Sequence, residues 1–239
     1  MGELKFVDAE GLGKEVINGN KSLNAIFGIG LSSKYYSKEN LTLYAKWASE
    51  HLNSLLFIIA DDVQRYNIMG FDGLNKKEAL KKARKIGDEK FLMVKKISDK
   101  FPHKVEVKRW AEVTSTSEYK KIFSLLEKDY NKIPELKEHI DNTLWANIRF
   151  KLEELKNNVG DKEFKKRFRI LVKYAIEEIS LIIYLAEYNV YPIKIGHNGE
   201  RVYDNIVDRI YSKHYNKVHG KILPKNKRGN IYLQVVESK

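Results

Sequence analysis

A chain of 239 residues with 43% hydrophobic content can bury a substantial core, which excludes a disordered polymer. It holds no cysteine, so disulfides, cysteine-ligated zinc and a cysteine nucleophile are excluded. A formal net charge of +12 points to a polyanionic partner, because lysines and arginines beside phosphates release counterions.

Met1–Ser22 contains Glu3, Asp8 and Glu10 but no signal-peptide core, and is expected to be an N-terminal extension. Leu23–Leu31 reads as a first strand, and Glu39–Leu52 as an amphipathic helix with Leu41, Leu43, Tyr44, Trp47, Ala48 and Leu52 inward. Leu55–Ala60 is a continuous apolar run ending in Asp61 and Asp62, as suits a strand buried on both faces of a parallel sheet. Phe71–Asn75 is a turn, followed by basic helix to about Phe101. Within it Lys77, Lys81 and Lys85 share one face, with Leu80, Ala83 and Ile86 expected inward. Val105–Trp110 alternates as a strand. Ser115 or Thr116 caps a helix through Tyr119–Tyr130, Pro134 starts another to about Lys156, and Asp161 caps a long one to about Tyr184. Asn189–Ile195 is a strand whose Pro192 implies an edge or end position. Val202–Tyr211 is a short helix, Tyr211–Gly229 a basic loop and Asn230–Val236 a last strand. Strands alternating with helices predict an α/β fold, a single doubly wound domain over residues 1–239 with a mainly parallel sheet. No apolar run is long enough to span a membrane, and a cytoplasmic protein is expected.

Three places offer chemistry. The first is the turn Gly28-Ile29-Gly30-Leu31-Ser32-Ser33 at a strand's carboxyl end, where open α/β sheets place their sites. It matches neither the dinucleotide fingerprint, whose third glycine would fall at Ser33, nor a nucleophile elbow, which needs a closing glycine. A serine activated by other means and a plain helix cap both remain open. The second is Tyr174 and Glu178, four residues apart on one helix face. Their carboxylate either meets a substrate ammonium or belongs to a solvated Glu177–Glu178 pair. The third is Tyr191-Pro192, a phenol on a fixed backbone or simply a sheet edge. The six histidines show no ligand spacing, so no metal is expected. A second basic cluster is Lys165, Lys166, Arg167 and Arg169.

Taken in order, these pieces resemble the cyclodipeptide synthases. The resemblance rests on Gly30-Leu31-Ser32, Tyr35-Tyr36-Ser37, Trp47-Ala48, Asp61, Asp72-Gly73 before a lysine-rich helix, Tyr174 with Glu178, and Tyr191-Pro192. The last pair is similar to a Tyr-Pro subfamily. Matching Gly-x-Ser selects Ser32 as nucleophile; counting back without gaps from Tyr35-Tyr36-Ser37 puts Gly30 at that place and leaves Ser33 as the substitute. The resemblance implies a Rossmann-like fold similar to tyrosyl- and tryptophanyl-tRNA synthetase catalytic domains. It implies two aminoacyl-tRNAs as substrates, no cofactor and no obligate protein partner. It further implies a ping-pong reaction through an aminoacyl-serine. In that reaction Tyr174 and Glu178 hold the ammonium, Tyr191 assists ring closure, and Gly28 and Gly30 admit the backbone to the oxyanion, beside Ser33 and Pro192. Lys77, Lys81, Lys82, Arg84 and Lys85 would hold tRNA phosphates. The alternatives are an S-adenosylmethionine- or nucleotide-dependent RNA-modifying enzyme and a non-catalytic RNA-binding module.

Overall fold

A computed structural model describes residues 3–11, 13–31, 36–185, 190–192 and 229–236; at 3, 5–11, 13, 190–192 and 229–236 it describes the backbone path. The two continuous apolar runs form the parallel pair at the centre. Strand β2 (Asn24–Ile29) lies beside β3 (Ser54–Ile59) in register from Asn24↔Ser54 to Ile29↔Ile59. β4 (Val105–Arg109) continues the sheet on the far side of β3. β5 (Val190–Pro192) lies on the other side of β2, and β6 (Gly229–Val236) follows it, both parallel. The order is β1-β6-β5-β2-β3-β4.

Two expectations change here. The N-terminal extension forms β1 (Glu3–Gly11), antiparallel to β6, and the short helix α1 (Gly13–Ile17). The sheet therefore has one antiparallel edge, and ladder hydrogen bonds hold a segment that lacks a long apolar run. β5 is not an edge strand but lies between β6 and β2. Pro192 is tolerated because it is the last residue of that strand. The helix at 202–211 and the basic loop after it lie outside the described residues.

Alternation sorts the central strands onto two faces. Ala25, Phe27, Ile29, Leu55, Phe57 and Ile59 pack against Leu41, Tyr44 and Ala48 of α2 (Lys38–His51) and Val94 and Ile97 of α4 (Lys76–Ser98). Ile26, Leu56 and Ile58 pack the other way, against Val63 of α3 (Asp61–Asn67), Trp110 and Val113 of α5 (Trp110–Thr114), Tyr119 of α6 (Ser117–Lys132) and Leu181 of α7 (Pro134–Tyr184). Helices thus cover both faces, the arrangement that makes both strands read as unbroken apolar runs. Ser37 caps α2 by accepting from the Asn40 amide, and Thr116 caps α6. The two helices expected after Pro134 form one run broken at Ile148 and at Gly160, where φ is +72°. The second break falls one residue before the expected cap at Asp161.

Helix α4 meets α3 and the turn after it through small residues. Ala79, Ala83 and Gly87, at spacings of four, are buried. Ile86, expected inward, is 40% exposed, because the seam admits only alanine and glycine at close approach. A β-carbon on Gly87 would stand 2.5 Å from the Asp61 β-carbon. In an exposed helix Gly→Ala would stabilise by roughly 1 kcal/mol. Gly87→Ala should instead destabilise by about 1–3 kcal/mol through overpacking, read as a lower urea midpoint with an unchanged slope.

Candidate active site

The parallel strands end together along one edge. Ile29 and Ile59 are paired, the Ala60 amide donates to the Ile29 carbonyl at 3.0 Å, and Ile59 is paired with Arg109. Gly30 and Leu31, Ala60 and Asp61, and Arg109 and Trp110 therefore line one rim, with Pro192 ending β5. Gly28 falls on the β2 face that packs α7, in step with Ile26. Ser32 and Ser33 lie outside the described residues, as do the side chains of Tyr191 and Pro192. Leu31, immediately before the serines, is buried.

After the serines, the next described residues begin at Tyr36. Its ring packs edge-on against Phe27, with centroids 5.7 Å apart, and a β-carbon on Gly30 would stand 3.3 Å from it. Its carbonyl accepts from the Lys90 ammonium at 3.0 Å. Lys90 reaches it from α4, and its burial holds its ammonium below the usual lysine range. Burial, and after it the negative charge of Glu178, pushes the Tyr36 phenol up to about 12. Tyr36 thus joins the Gly30 rim to Glu178 of α7. Tyr44 lies beneath; its hydroxyl is fully buried with no hydrogen-bond partner among the described residues, and burial raises its pKa further.

Tyr174 and Glu178 are both half-buried, and Tyr174 packs on the cluster that includes Ile26 and Ile58. Their spacing on α7 is borne out, but the solvated Glu177–Glu178 pair is not. Glu177 is 5% exposed. Its carboxylate accepts from Arg65 at 2.7 Å and from the Trp110 indole at 2.8 Å, and its carbonyl accepts from the Tyr119 hydroxyl at 3.1 Å. Arg65 also donates to the Tyr66 hydroxyl at 2.8 Å. Sequence reasoning missed this set and Lys90; it had Tyr36 only within a motif, and Tyr44 as the inward residue it is. The one signal was an acidic residue within an apolar helix stretch, which must find a partner when buried.

The basic face of α4 divides into two kinds of cation. Arg84 forks onto Asp62 at 2.7 and 2.8 Å, and Lys82 pairs with Asp72 at 2.7 Å. Next along the helix, Asp88 receives Arg109, whose Nε is 2.6 Å from the buried Asp61. Lys77, Lys81 and Lys85 are exposed and form no ion pair among the described residues. Their shared face is borne out; Lys82 and Arg84 are already engaged by acids. In the second cluster Arg167 bonds Glu163 and the Phe71 carbonyl, beside the α4 entrance.

Tyr36 and Tyr66 are both pushed up to about 12, chiefly by burial. Unfolded tyrosines ionise near 10. Folding then keeps protons that the unfolded chain loses, so their stabilising contribution is full below pH 10 and is lost as pH rises toward 12. Phenolate absorbance should rise in two steps, the upper accompanied by unfolding, and Tyr36→Phe should reduce the upper step.

The model of the family described as cyclodipeptide synthase matches residues 17–188. No curated protein matches in sequence. Among solved structures, the chain is similar to a cyclodipeptide synthase from Fluoribacter dumoffii, with TM-score 0.76 and 17% identity over 100% of both chains. It is similar to the Mycobacterium tuberculosis protein whose structure relates cyclodipeptide synthetases to type I tRNA synthetases, with TM-score 0.61 and 14% identity, over 94% of this chain and 89% of that one. It is also similar to a cyclodipeptide synthase from Candidatus Glomeribacter gigasporarum bound to Phe-tRNAPhe, with TM-score 0.62 and 14% identity, over 96% and 95%. The expected fold is borne out. Among the described residues no helix is long and apolar enough to cross a membrane.

Proposed function

The chain belongs to the cyclodipeptide synthase family, and we propose that it joins two aminoacyl groups through Ser32. It is a tRNA-dependent, peptide-bond-forming enzyme whose substrates are aminoacyl-tRNAs. The observation that supports the assignment of roles is that Tyr36 stands against Gly30 at the carboxyl edge of the parallel strands and is acted on by the charge of Glu178, four residues from Tyr174 on α7. Ser32 stands two residues beyond Gly30 in the chain.

In this reading the Ser32 hydroxyl attacks the ester carbonyl of the first aminoacyl-tRNA. A serine ester forms, and the tRNA leaves with the hydroxyl proton on its terminal ribose oxygen. Tyr174 and Glu178 hold the ammonium of the bound aminoacyl group. The amine of the second aminoacyl-tRNA attacks the serine ester, giving a dipeptide still esterified to its tRNA. Serine can be reacylated by that dipeptide, or its free amine can attack the remaining ester directly. Either route closes a six-membered diketopiperazine and restores the free hydroxyl. Glu178, half-buried beside the phenol of Tyr36, accepts the ammonium proton that must be removed before the amine attacks. Gly28 and Gly30 leave the backbone accessible at the oxyanion, and Tyr191 with Pro192 orients the ester during closure, as in the Tyr-Pro subfamily. The site calls on no cofactor, and cytoplasmic tRNA would supply both substrates.

Two outcomes test this. Ser32→Ala should abolish cyclic dipeptide formation, followed by mass spectrometry of the medium of an expressing bacterium, while tRNA binding persists. Activity surviving there but lost in Ser33→Ala would move the nucleophile; loss in neither, with tRNA still bound, would favour a plain binding module. Replacing Lys77, Lys81 and Lys85 together by glutamine should weaken tRNA binding and lower the slope of log affinity against log salt by about 3, one for each phosphate no longer neutralised. An unchanged slope would place the tRNA elsewhere.

A further inference from the structure

A cleft of about 590 Å3 opens between α4, the turn at Ile68–Asp72 and the middle stretch of α7. Leu31 lines it, so the cleft starts at the residue before Ser32. Phe71, Ile86 and Ile148 complete an apolar floor, and the amides of Gln64, Asn67 and Asn158 add hydrogen-bonding edges. Two lysines stand in its wall. Lys82 neutralises Asp72, while the Lys151 ammonium lies 5.8 Å from the Phe71 ring centroid and forms no ion pair among the described residues. The acid at this wall is Glu154.

Phe150 belongs to the same stretch of α7, just past the helix break at Ile148, and is 85% exposed. It lies four residues before Glu154, hence on the same helix stripe at the cleft's margin. Arg149, paired with Glu153 at 2.7 Å, and Lys151 flank it in the chain. An exposed aromatic ring next to Lys151, beside an apolar cleft with amide edges, has the chemistry of a single-stranded RNA platform, where bases stack and their edges are read. The volume suits one or two unpaired nucleotides and excludes a duplex. The free lysines of α4 run on from Ile86 as Lys85, Lys81 and Lys77, a path for the backbone of the paired stem.

We propose that this cleft receives the unpaired 3′ end of the aminoacyl-tRNA, with Phe150 as the stacking platform for one of its bases. The ester is thereby delivered beside Leu31, the residue before Ser32 in the chain. This inference rests on the tRNA-dependent reading above and names the part of the tRNA the cleft takes.

The test compares two unacylated acceptor-stem RNA duplexes, one blunt and one with the unpaired 3′ end, binding to the full chain. The wild type should bind the overhanging duplex at least about tenfold more tightly, the scale of one stacked base. Phe150→Ala should remove most of that difference and leave blunt-duplex binding unchanged, and Phe150→Trp should keep it. Equal discrimination in the wild type and Phe150→Ala overturns the proposal. So does a change of oligomeric state in Phe150→Ala with RNA binding intact, which would assign the ring to a second copy of the chain. Binding of neither duplex by the wild type would instead count against the tRNA reading itself, as unchanged salt dependence in the α4 lysine variants would.

Discussion

The site depends on how one buried carboxylate is neutralised. Glu177 sits inside the helical layer, where an unpaired charge is not tolerated. Arg65 from α3, the Trp110 indole from the end of β4 and the Tyr119 hydroxyl from α6 all converge on this residue. Three elements are thereby fixed to a single turn of α7. Removing one partner of such a pair costs about 3–5 kcal/mol, more than most single contacts contribute. Glu178 is the next residue. Its charge acts on the Tyr36 phenol, so the turn that Glu177 anchors also carries the residue proposed to hold the ammonium. The neighbour that does no chemistry thus fixes the turn that carries the one assigned to it.

Helix α4 works under a similar double demand. One side must lie close to α3 and the turn after it, which restricts it to Ala79, Ala83 and Gly87. The opposite side presents lysines to solvent. Between them, Arg84 and Asp88 tie the helix to Asp62 and to Arg109, which itself grips the buried Asp61 at the end of β3. Lys90 then reaches the carbonyl of Tyr36, four residues after Ser32 in the chain. The helix proposed to meet the tRNA is therefore bonded directly to the segment proposed to take its aminoacyl group. Charges turned inward build the site, and charges left over face the polyanion.

Much of this was legible from the chain, for identifiable reasons. Unbroken apolar runs mark strands covered on both sides, so β2 and β3 could be placed within a residue or two. A spacing of four fixed the common face of Lys77, Lys81 and Lys85 and that of Tyr174 and Glu178. What escaped depends on partners distant in sequence. Ile86 looked like a core residue because periodicity records polarity and not how near the neighbouring helix lies. Glu177 and Glu178 looked like a solvated pair because Arg65 and Trp110 stand 112 and 67 residues away. β1 carries no long apolar run and is held by its ladder to β6, whose position the local pattern does not encode. Pro192 signalled a strand's end correctly but not which strands would flank it.

A ping-pong sequence also explains why one stripe of free lysines is enough. The first tRNA departs once its aminoacyl group is on the serine, so the second can use the same phosphate contacts. Selectivity between the two amino acids then has to come from the walls around the ester, not from the basic face. In the proposed reading Glu178 recognises the ammonium that every aminoacyl group shares, so that contact cannot tell one amino acid from another. The proposed tRNA-binding charges are then free to remain indifferent to which amino acids are joined.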